Sequence, residues 1–85
     1  MYYIFSFRSR SEAVKLYDKC KSKTRVSLVS TPQAVSRGCS LSVRCDKESY
    51  NVVYSVFSAL SFSSFLGAYS VVENGSVIST KRVLY

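Results

Sequence analysis

The chain has 85 residues, of which 47% are hydrophobic and 20% charged, and its formal net charge is +7. The length indicates one small domain, residues 1–85, and the composition excludes both a disordered chain and a membrane span. The surplus of basic residues points to anionic partners. Histidine is absent from the sequence, which excludes Ser-His-Asp and Cys-His catalysis and any metal site with a His ligand.

The first predicted elements are a strand and a helix. Alternating aromatic and aliphatic residues predict a strand over residues 2–7, facing inward on one or both sides. Ser9 and Glu12 have the spacing of a capping box, in which each side chain accepts a hydrogen bond from a backbone N–H at the helix start. Apolar residues at helical spacing then predict an amphipathic helix over residues 10–22, with Cys20 on its apolar face.

A second strand, a loop, a third strand and a second helix are predicted next. The second strand contains Val26 and Leu28 and ends before Pro32, because proline cannot donate to a strand ladder. After a loop with one helical turn over residues 33–36, a third strand over residues 40–45 points Leu41, Val43 and Cys45 inward. Asp46 is predicted to cap the second helix, whose apolar side carries Tyr50, Val53, Val56, Phe57 and Leu60.

The C-terminal region predicts a β-hairpin around Asn74-Gly75, because this dipeptide adopts the positive φ angles of a type I′ turn. A two-residue turn there pairs Val71 with Ile78, Tyr69 with Thr80, and Phe65 with Leu84, which leaves the face with Val72 half-solvated. The fold class is therefore α/β (α+β): a two-layer sandwich of ferredoxin-like β-α-β-β-α-β order with a C-terminal hairpin and both helices on one face.

Three cysteines without a CxxC pair predict reduced thiols, with neither a disulfide framework nor a metal site. Periodicity assigns Cys20 and Cys45 to the core. For Cys39 two interpretations stay open, a reactive thiol or a buried inert one, since it continues the alternation of the third strand. The sequence begins without a secretory leader, so we expect a cytoplasmic protein, and no cofactor is indicated.

The segment of residues 31–44, TPQAVSRGCSLSVR, resembles the signature of a bacterial family of small selenium/sulfur carrier-like domains. In that family a capped helix and a proline loop precede Ser-x-x-Cys-Gly and a strand ending in a basic residue. The family's glycine after the cysteine is Ser40 here, and a glycine precedes the cysteine instead. The resemblance covers about residues 2–60, and the matching positions are Ser9, Ala13, Pro32, Ser36, Cys39 and Arg44.

The resemblance implies a carrier rather than a turnover enzyme. Cys39 would accept sulfur or selenium from a donor such as a cysteine desulfurase or a selenocysteine lyase-type enzyme. It would hold the atom as a persulfide or perselenide and pass it to an acceptor protein. The residues support this hypothesis, because Arg37 and Arg44 are cations that favour a thiolate and Gly38 permits close approach.

Two alternatives belong to other functional classes. The first is a basic ferredoxin-like domain that binds nucleic acid. An RNA-recognition motif carries aromatic residues on its two central strands, and the aromatic residues at 2–5 resemble the first of these strands. At the base-stacking positions of the second strand, however, this sequence has Cys39 and Leu41. The second alternative is a non-catalytic interaction domain, in which a homo-oligomer could form through the terminal hairpin. An acidic partner of this interaction domain would dock on Lys15, Lys19, Lys21 and Lys23. That partner could equally be the donor enzyme of the carrier hypothesis.

Overall fold

The computed structural model describes residues 1–33, 35, 38, 40–75 and 77–84. The elements follow the predicted order: β1 (Tyr2–Phe7), α1 (Arg10–Cys20), β2 (Val26–Ser30), β3 (Leu41–Cys45), α2 (Tyr50–Ala59), β4 (Phe65–Asn74) and β5 (Val77–Leu84). Within the described residues the sheet has the strand order β2-β3-β1-β4-β5, and each neighbouring pair is antiparallel. The described chain is therefore α+β, with a five-stranded antiparallel sheet and two helices, an arrangement compatible with a two-layer sandwich.

The main core lies between the helices and one face of the sheet. β1 contributes Phe5 and Phe7, both fully buried, because alternate side chains of a strand point to the same face. Helix α2 reaches them through Phe57, whose ring centre lies 5.6 Å from that of Phe5 and 4.4 Å from that of Phe65. Burial of one such side chain contributes about 1.5–3 kcal/mol. The other buried members are Ala13, Leu16, Cys20, Val43, Cys45, Val53 and Ala68.

The opposite face of the sheet is partly closed as well. Ile4, Tyr69 and Val71 form a second buried cluster there, and Val29 and Val35 pack against it. Val35 belongs to the connection between β2 and β3, so this connection contributes to covering the face away from the helices. Both faces of β1 are therefore buried, which explains why its residues are apolar or aromatic at nearly every position.

The start of α1 confirms one half of the predicted capping box. Ser9 is the N-cap, and its hydroxyl accepts a hydrogen bond from the Glu12 N–H at 3.4 Å. The Glu12 carboxylate does not return to Ser9. It accepts bonds from the backbone N–H groups of Ser63 (3.0 Å) and Ser64 (2.8 Å) and from both hydroxyls. That half of the prediction is wrong because the loop before β4 offers this carboxylate four donors.

The start of α2 lies later than predicted. Asp46 closes the turn before the helix, where its Oδ1 accepts a hydrogen bond from the Ser49 N–H at 3.0 Å, and Ser49 itself is the N-cap. The helix then begins at Tyr50. Val52 and Val53 favour strands intrinsically, but Val53 is fully buried against the core, so tertiary packing overrides that preference.

The hairpin is present, but the predicted register is wrong by two residues. Asn74 is still paired, opposite Val77, so the connection consists of residues 75 and 76, and Gly75 has the positive φ of 66° that the first turn position requires. The observed pairs are Val71 with Thr80, Tyr69 with Arg82, and Ala68 with Leu84. Phe65 instead lies opposite Phe7, beyond a bulge in the β1–β4 ladder.

The shift of two residues keeps the side chains that pair between β4 and β5 from Tyr69 to Glu73 on their predicted faces, because side chains alternate with a period of two. Phe65 is an exception: beyond the bulge it packs against the main core, on the opposite face of the sheet from Tyr69 and Val71, although the prediction placed all three on one face. Val72 is 44% exposed, as expected for the half-solvated face. In the part of the chain that the structure describes, no helix has the length and apolar character needed to cross a membrane.

Candidate functional site

Two of the predicted site residues, Cys39 and Arg37, lie outside the described residues, so the roles assigned to them stay predictions. Their neighbours Gly38 and Ser40 are described. Gly38 is exposed, and a methyl group on its Cα would meet no atom within 4 Å. The Ser40 N–H donates to the Gly38 carbonyl at 3.0 Å, immediately before β3. The backbone next to Cys39 is therefore accessible at Gly38.

The connection that contains Cys39 is attached to the sheet at both ends. The Thr31 N–H donates to the Ser40 carbonyl at 3.2 Å, which closes the connection at its base. Beneath it the hydroxyls of Thr31, Ser42 and Ser6 form a chain with distances of 2.6 and 2.8 Å. These buried hydroxyls satisfy one another, so they hold the base of the connection against β1 and β3.

Part of the predicted helical turn at residues 33–36 is described. The Val35 N–H donates to the Pro32 carbonyl at 2.9 Å, which is a single turn after the proline. Ala34 and Ser36 lie outside the described residues. Strand β3 begins at Leu41 and not at Ser40, so the alternation that would group Cys39 with the buried residues of β3 starts only at Leu41.

Arg44 lies on the sheet face away from the helices, where its side chain is exposed. Its guanidinium stacks on the ring of Tyr2, with Cζ 3.8 Å from the ring centre. Burial, followed by a hydrogen bond to the Glu73 carboxylate, raises the pKa of the Tyr2 hydroxyl. The predicted electrostatic support of Cys39 by Arg44 is not tested by this contact and stays a prediction.

The other two cysteines are free thiols in the main core, as predicted. Cys20 is fully buried and Cys45 is 2% exposed. Burial raises the pKa of both thiols, that of Cys45 to about 12, with smaller contributions from Asp46 and Cys20. Neither thiol is suited to nucleophilic chemistry. Among the described residues no group of three or more Cys or carboxylate side chains is placed to bind a metal ion.

The four lysines of the predicted docking surface do not form one group. Lys21 lies 3.3 Å from Asp18 in an exposed ion pair, and Lys15 lies over the ring of Phe62. Lys19 and Lys23 instead rim a groove of about 510 Å³ between α1 and α2. The rest of the groove is formed by α2 and its C-cap: Val52, Ser55, Val56, Ala59 and Leu60.

Sequence reasoning missed this groove, although the sequence contains a signal for it. Helix α2 has no charged residue over Tyr50–Ala59, whereas the exposed side of a surface helix is ordinarily charged or polar. An uncharged helix beside a lysine-rich one indicates a surface with an apolar floor and a cationic edge.

The sheet face away from the helices does not resemble a nucleic-acid platform. Tyr3, Phe5 and Leu41 face the helices, where they belong to the main core or pack against it. The aromatic rings described on the other face are those of Tyr2 and Tyr69, and the guanidinium groups of Arg44 and Arg82 lie over them. The described residues of this face therefore present no uncovered ring on which a base could stack.

A family model described as "Putative Se/S carrier protein-like" matches residues 2–62. The chain belongs to this family. The match confirms the predicted resemblance, and within the Se/S carrier-like region lie all three cysteines, both helices and strands β1 to β3. It ends before β4, so the hairpin lies beyond it. Comparison with curated proteins and with solved structures gave no match.

Proposed function

We propose that this protein carries sulfur or selenium, held as a persulfide or perselenide on Cys39, and that it relays the atom between a donor and an acceptor protein. The observation that carries the proposal is the environment of the cysteines in the family-matched region. Cys20 and Cys45 are buried, with thiol pKa values raised by burial, which leaves Cys39 as the candidate nucleophile. Exposure of the adjacent Gly38 backbone supports access by another protein.

The proposed transfer is an exchange at sulfur. The Cys39 thiolate attacks the terminal sulfur of a donor persulfide and forms a new S–S bond, while the donor's own S–S bond breaks and its electron pair leaves on the donor thiolate. The terminal sulfur keeps its oxidation state, so no external oxidant or reductant is consumed. Delivery repeats the exchange with an acceptor thiolate. This step needs one nucleophilic thiolate and no histidine, and Arg37 and Arg44 are proposed to favour that thiolate.

Loading of the protein tests this proposal. After incubation with a cysteine desulfurase and sulfur-labelled cysteine, we expect one labelled sulfur atom per chain, removed by a reductant and located on Cys39 by mass spectrometry. Cys39→Ser should abolish loading and leave the thermal unfolding transition unchanged. The matched comparison is Ser40→Ala, which alters the next residue and keeps the thiol. Equal labelling of Cys39→Ser would contradict the proposal.

We also propose that the donor protein docks on the groove between α1 and α2. The groove combines an apolar floor at Val52, Val56 and Leu60 with two ammonium groups, those of Lys19 and Lys23. Neither lysine forms an ion pair with a described residue. A partner segment with apolar anchors and acidic flanks is complementary to this surface. Lys21 is not included because Asp18 already neutralises it.

Charge reversal tests the docking surface separately from the sulfur chemistry. We expect Lys19→Glu combined with Lys23→Glu to raise the KM for desulfurase-dependent loading at least about threefold at low ionic strength, with a smaller effect in salt. Loading from glutathione persulfide, which needs no protein docking, should be unchanged. Lys47→Glu combined with Lys81→Glu is the control, because it changes the net charge by the same amount at two lysines outside the groove lining. An equal effect of this control, or an unchanged KM in the Lys19 and Lys23 double variant, would exclude the groove.

We propose further that residues 1–85 form a single domain of ferredoxin-like topology. The order β4-β1-β3-β2 of the first four strands, with both helices against one face, supports this assignment, and β5 extends the sheet beyond β4. The cytoplasmic location and the homo-oligomer stay predictions.

A further inference from the structure

A cavity of about 360 Å³ lies at the end of the sheet where β1 begins and β3 ends. It is distinct from the groove between the helices and from the connection that contains Cys39. The residues that line it include Met1, Tyr2, Arg25, Ser27, Arg44 and Asp46, whose side chains carry two guanidinium groups, two hydroxyls and one carboxylate.

The strand register brings the cationic part of the cavity together. Ser27 of β2 lies directly opposite Arg44 of β3, and facing residues of an antiparallel pair have Cβ atoms about 5 Å apart on the same side of the sheet. Arg25 lies two residues before Ser27 and lines the same cavity. Arg25, Ser27 and Arg44 therefore line one cavity at this end of the sheet.

The Arg44 side chain is held in place by its neighbours. Its guanidinium lies over the Tyr2 ring, with Cζ 3.8 Å from the ring centre, and the Tyr2 hydroxyl interacts with the Glu73 carboxylate. Stacking uses the face of the guanidinium and leaves the N–H groups at its edge for hydrogen bonding. Among the described residues, neither Arg25 nor Arg44 forms an ion pair. Asp46 lines the cavity, but its Oδ1 accepts a hydrogen bond from the Ser49 N–H.

We propose that this cavity binds the phosphate or carboxylate group of a small molecule between Arg25, Arg44 and Ser27. Guanidinium groups bind such oxyanions through pairs of parallel N–H···O bonds, and the adjacent hydroxyl supplies a further donor. The site shares Arg44 with the proposed support of the Cys39 thiolate, but anion binding there requires no chemistry at Cys39. It lies on the same sheet face as Ser42, two residues from Arg44 along β3, where the connection that contains Cys39 is anchored.

The experiment is an NMR titration of the ¹⁵N-labelled full chain with inorganic phosphate and, in a second arm, with acetate, at ionic strength matched by sodium chloride. We expect saturable shifts of the backbone amides around Ser27 and Arg44 with at least one of the two anions. Arg25→Gln and Arg44→Gln should each weaken binding about tenfold, as expected for loss of a charged hydrogen-bonding partner. Asp46→Asn should tighten binding, because it removes a negative charge from the cavity lining.

Lys47→Gln is the matched control, since it removes a positive charge next to Asp46 in sequence without altering the cavity lining. Saturation with phosphate alone, or with acetate alone, supports the site and assigns the anion class. The proposal is overturned if neither anion saturates, or if Lys47→Gln weakens binding as much as the two arginine variants. Unchanged amide spectra of the anion-free variants, apart from the substituted region, establish that each one folds.

Discussion

At the scale of single residues, identical side chains acquire different chemistry from their surroundings. Cys45 is enclosed by the main core, and its thiol pKa of about 12 lies well above the ordinary value of 9.0. At neutral pH this shift leaves about a thousandfold less thiolate than an unperturbed cysteine has. Cys20 is raised for the same reason. Reactivity in this family member is therefore expected at Cys39.

A thiol-reactive disulfide reagent measures this difference. At pH 8 we expect one rapidly reacting thiol in the wild-type chain and none in Cys39→Ser, because the buried thiols are both inaccessible and protonated. Addition of denaturant should release two further thiols in each protein. Rapid reaction of folded Cys39→Ser would show that Cys20 or Cys45 is accessible, and would remove the basis for assigning the carrier role to Cys39.

At the scale of elements, α1 is tied to the loop before β4 by a carboxylate that the sequence assigns to a local cap. Glu12 accepts hydrogen bonds from Ser63 and Ser64, and these bonds, the Ser64 hydroxyl first, lower its pKa to about 2. The Ser9 N–H donates to the Ser64 hydroxyl at 3.0 Å and reinforces the junction. The junction connects the family-matched region, residues 2–62, to the start of the hairpin beyond it.

The lowered pKa of Glu12 predicts a pH-dependent contribution to stability. The folded protein favours the carboxylate, so this contribution is complete above the ordinary pKa of 4.5 and is lost as pH falls towards about 2. We expect Glu12→Gln to lower the free energy of unfolding at pH 7, because an amide cannot accept all four hydrogen bonds. Urea unfolding at pH 7 and near pH 2 should show the difference from wild type shrinking at the lower pH.

Glu48→Gln is the control for this comparison, since it also removes one negative charge close to a helix start. Its effect on the free energy of unfolding at pH 7 should be smaller than that of Glu12→Gln. A Glu12→Gln variant as stable as wild type at pH 7 would contradict the structural role of the junction.

At the scale of the whole molecule, the two sides of the sheet serve different purposes. The helices close one side and carry the lysine-edged groove between them. The connection between β2 and β3 packs on the other side through Val35, and the cavity with Arg25 and Arg44 lies at the end of the sheet where β1 begins.

Among the described residues, the cations that contribute to the net charge of +7 therefore do not form one continuous patch. Lys21 is paired with Asp18, and the Lys15 and Arg44 side chains lie over aromatic rings. Other cations line the groove between the helices and the cavity at the end of the sheet, two separate surfaces that are suited to anionic groups.

The order of the elements could be predicted because the signals that define them are local. Alternation in β1, the Ser9 cap of α1 and the proline after β2 each depend on a few neighbouring residues. Boundaries and register were less accurate. Asn-Gly predicts a turn that includes Asn74, yet Asn74 pairs with Val77. A local preference cannot discriminate between two hairpin registers that differ by two residues, because both keep the same faces.

The sequence by itself determined the element order, the burial of Cys20 and Cys45, the absence of histidine chemistry and the resemblance to the Se/S carrier-like family. Each of these depends on composition, periodicity or a short motif. Only the tertiary structure decided the features that form between segments distant in sequence. These are the hydrogen bonds of Glu12 to Ser63, 51 residues away, the contact of Arg44 with the Tyr2 ring, and the groove between the helices. Such contacts are set by packing and strand register, which local preferences do not specify.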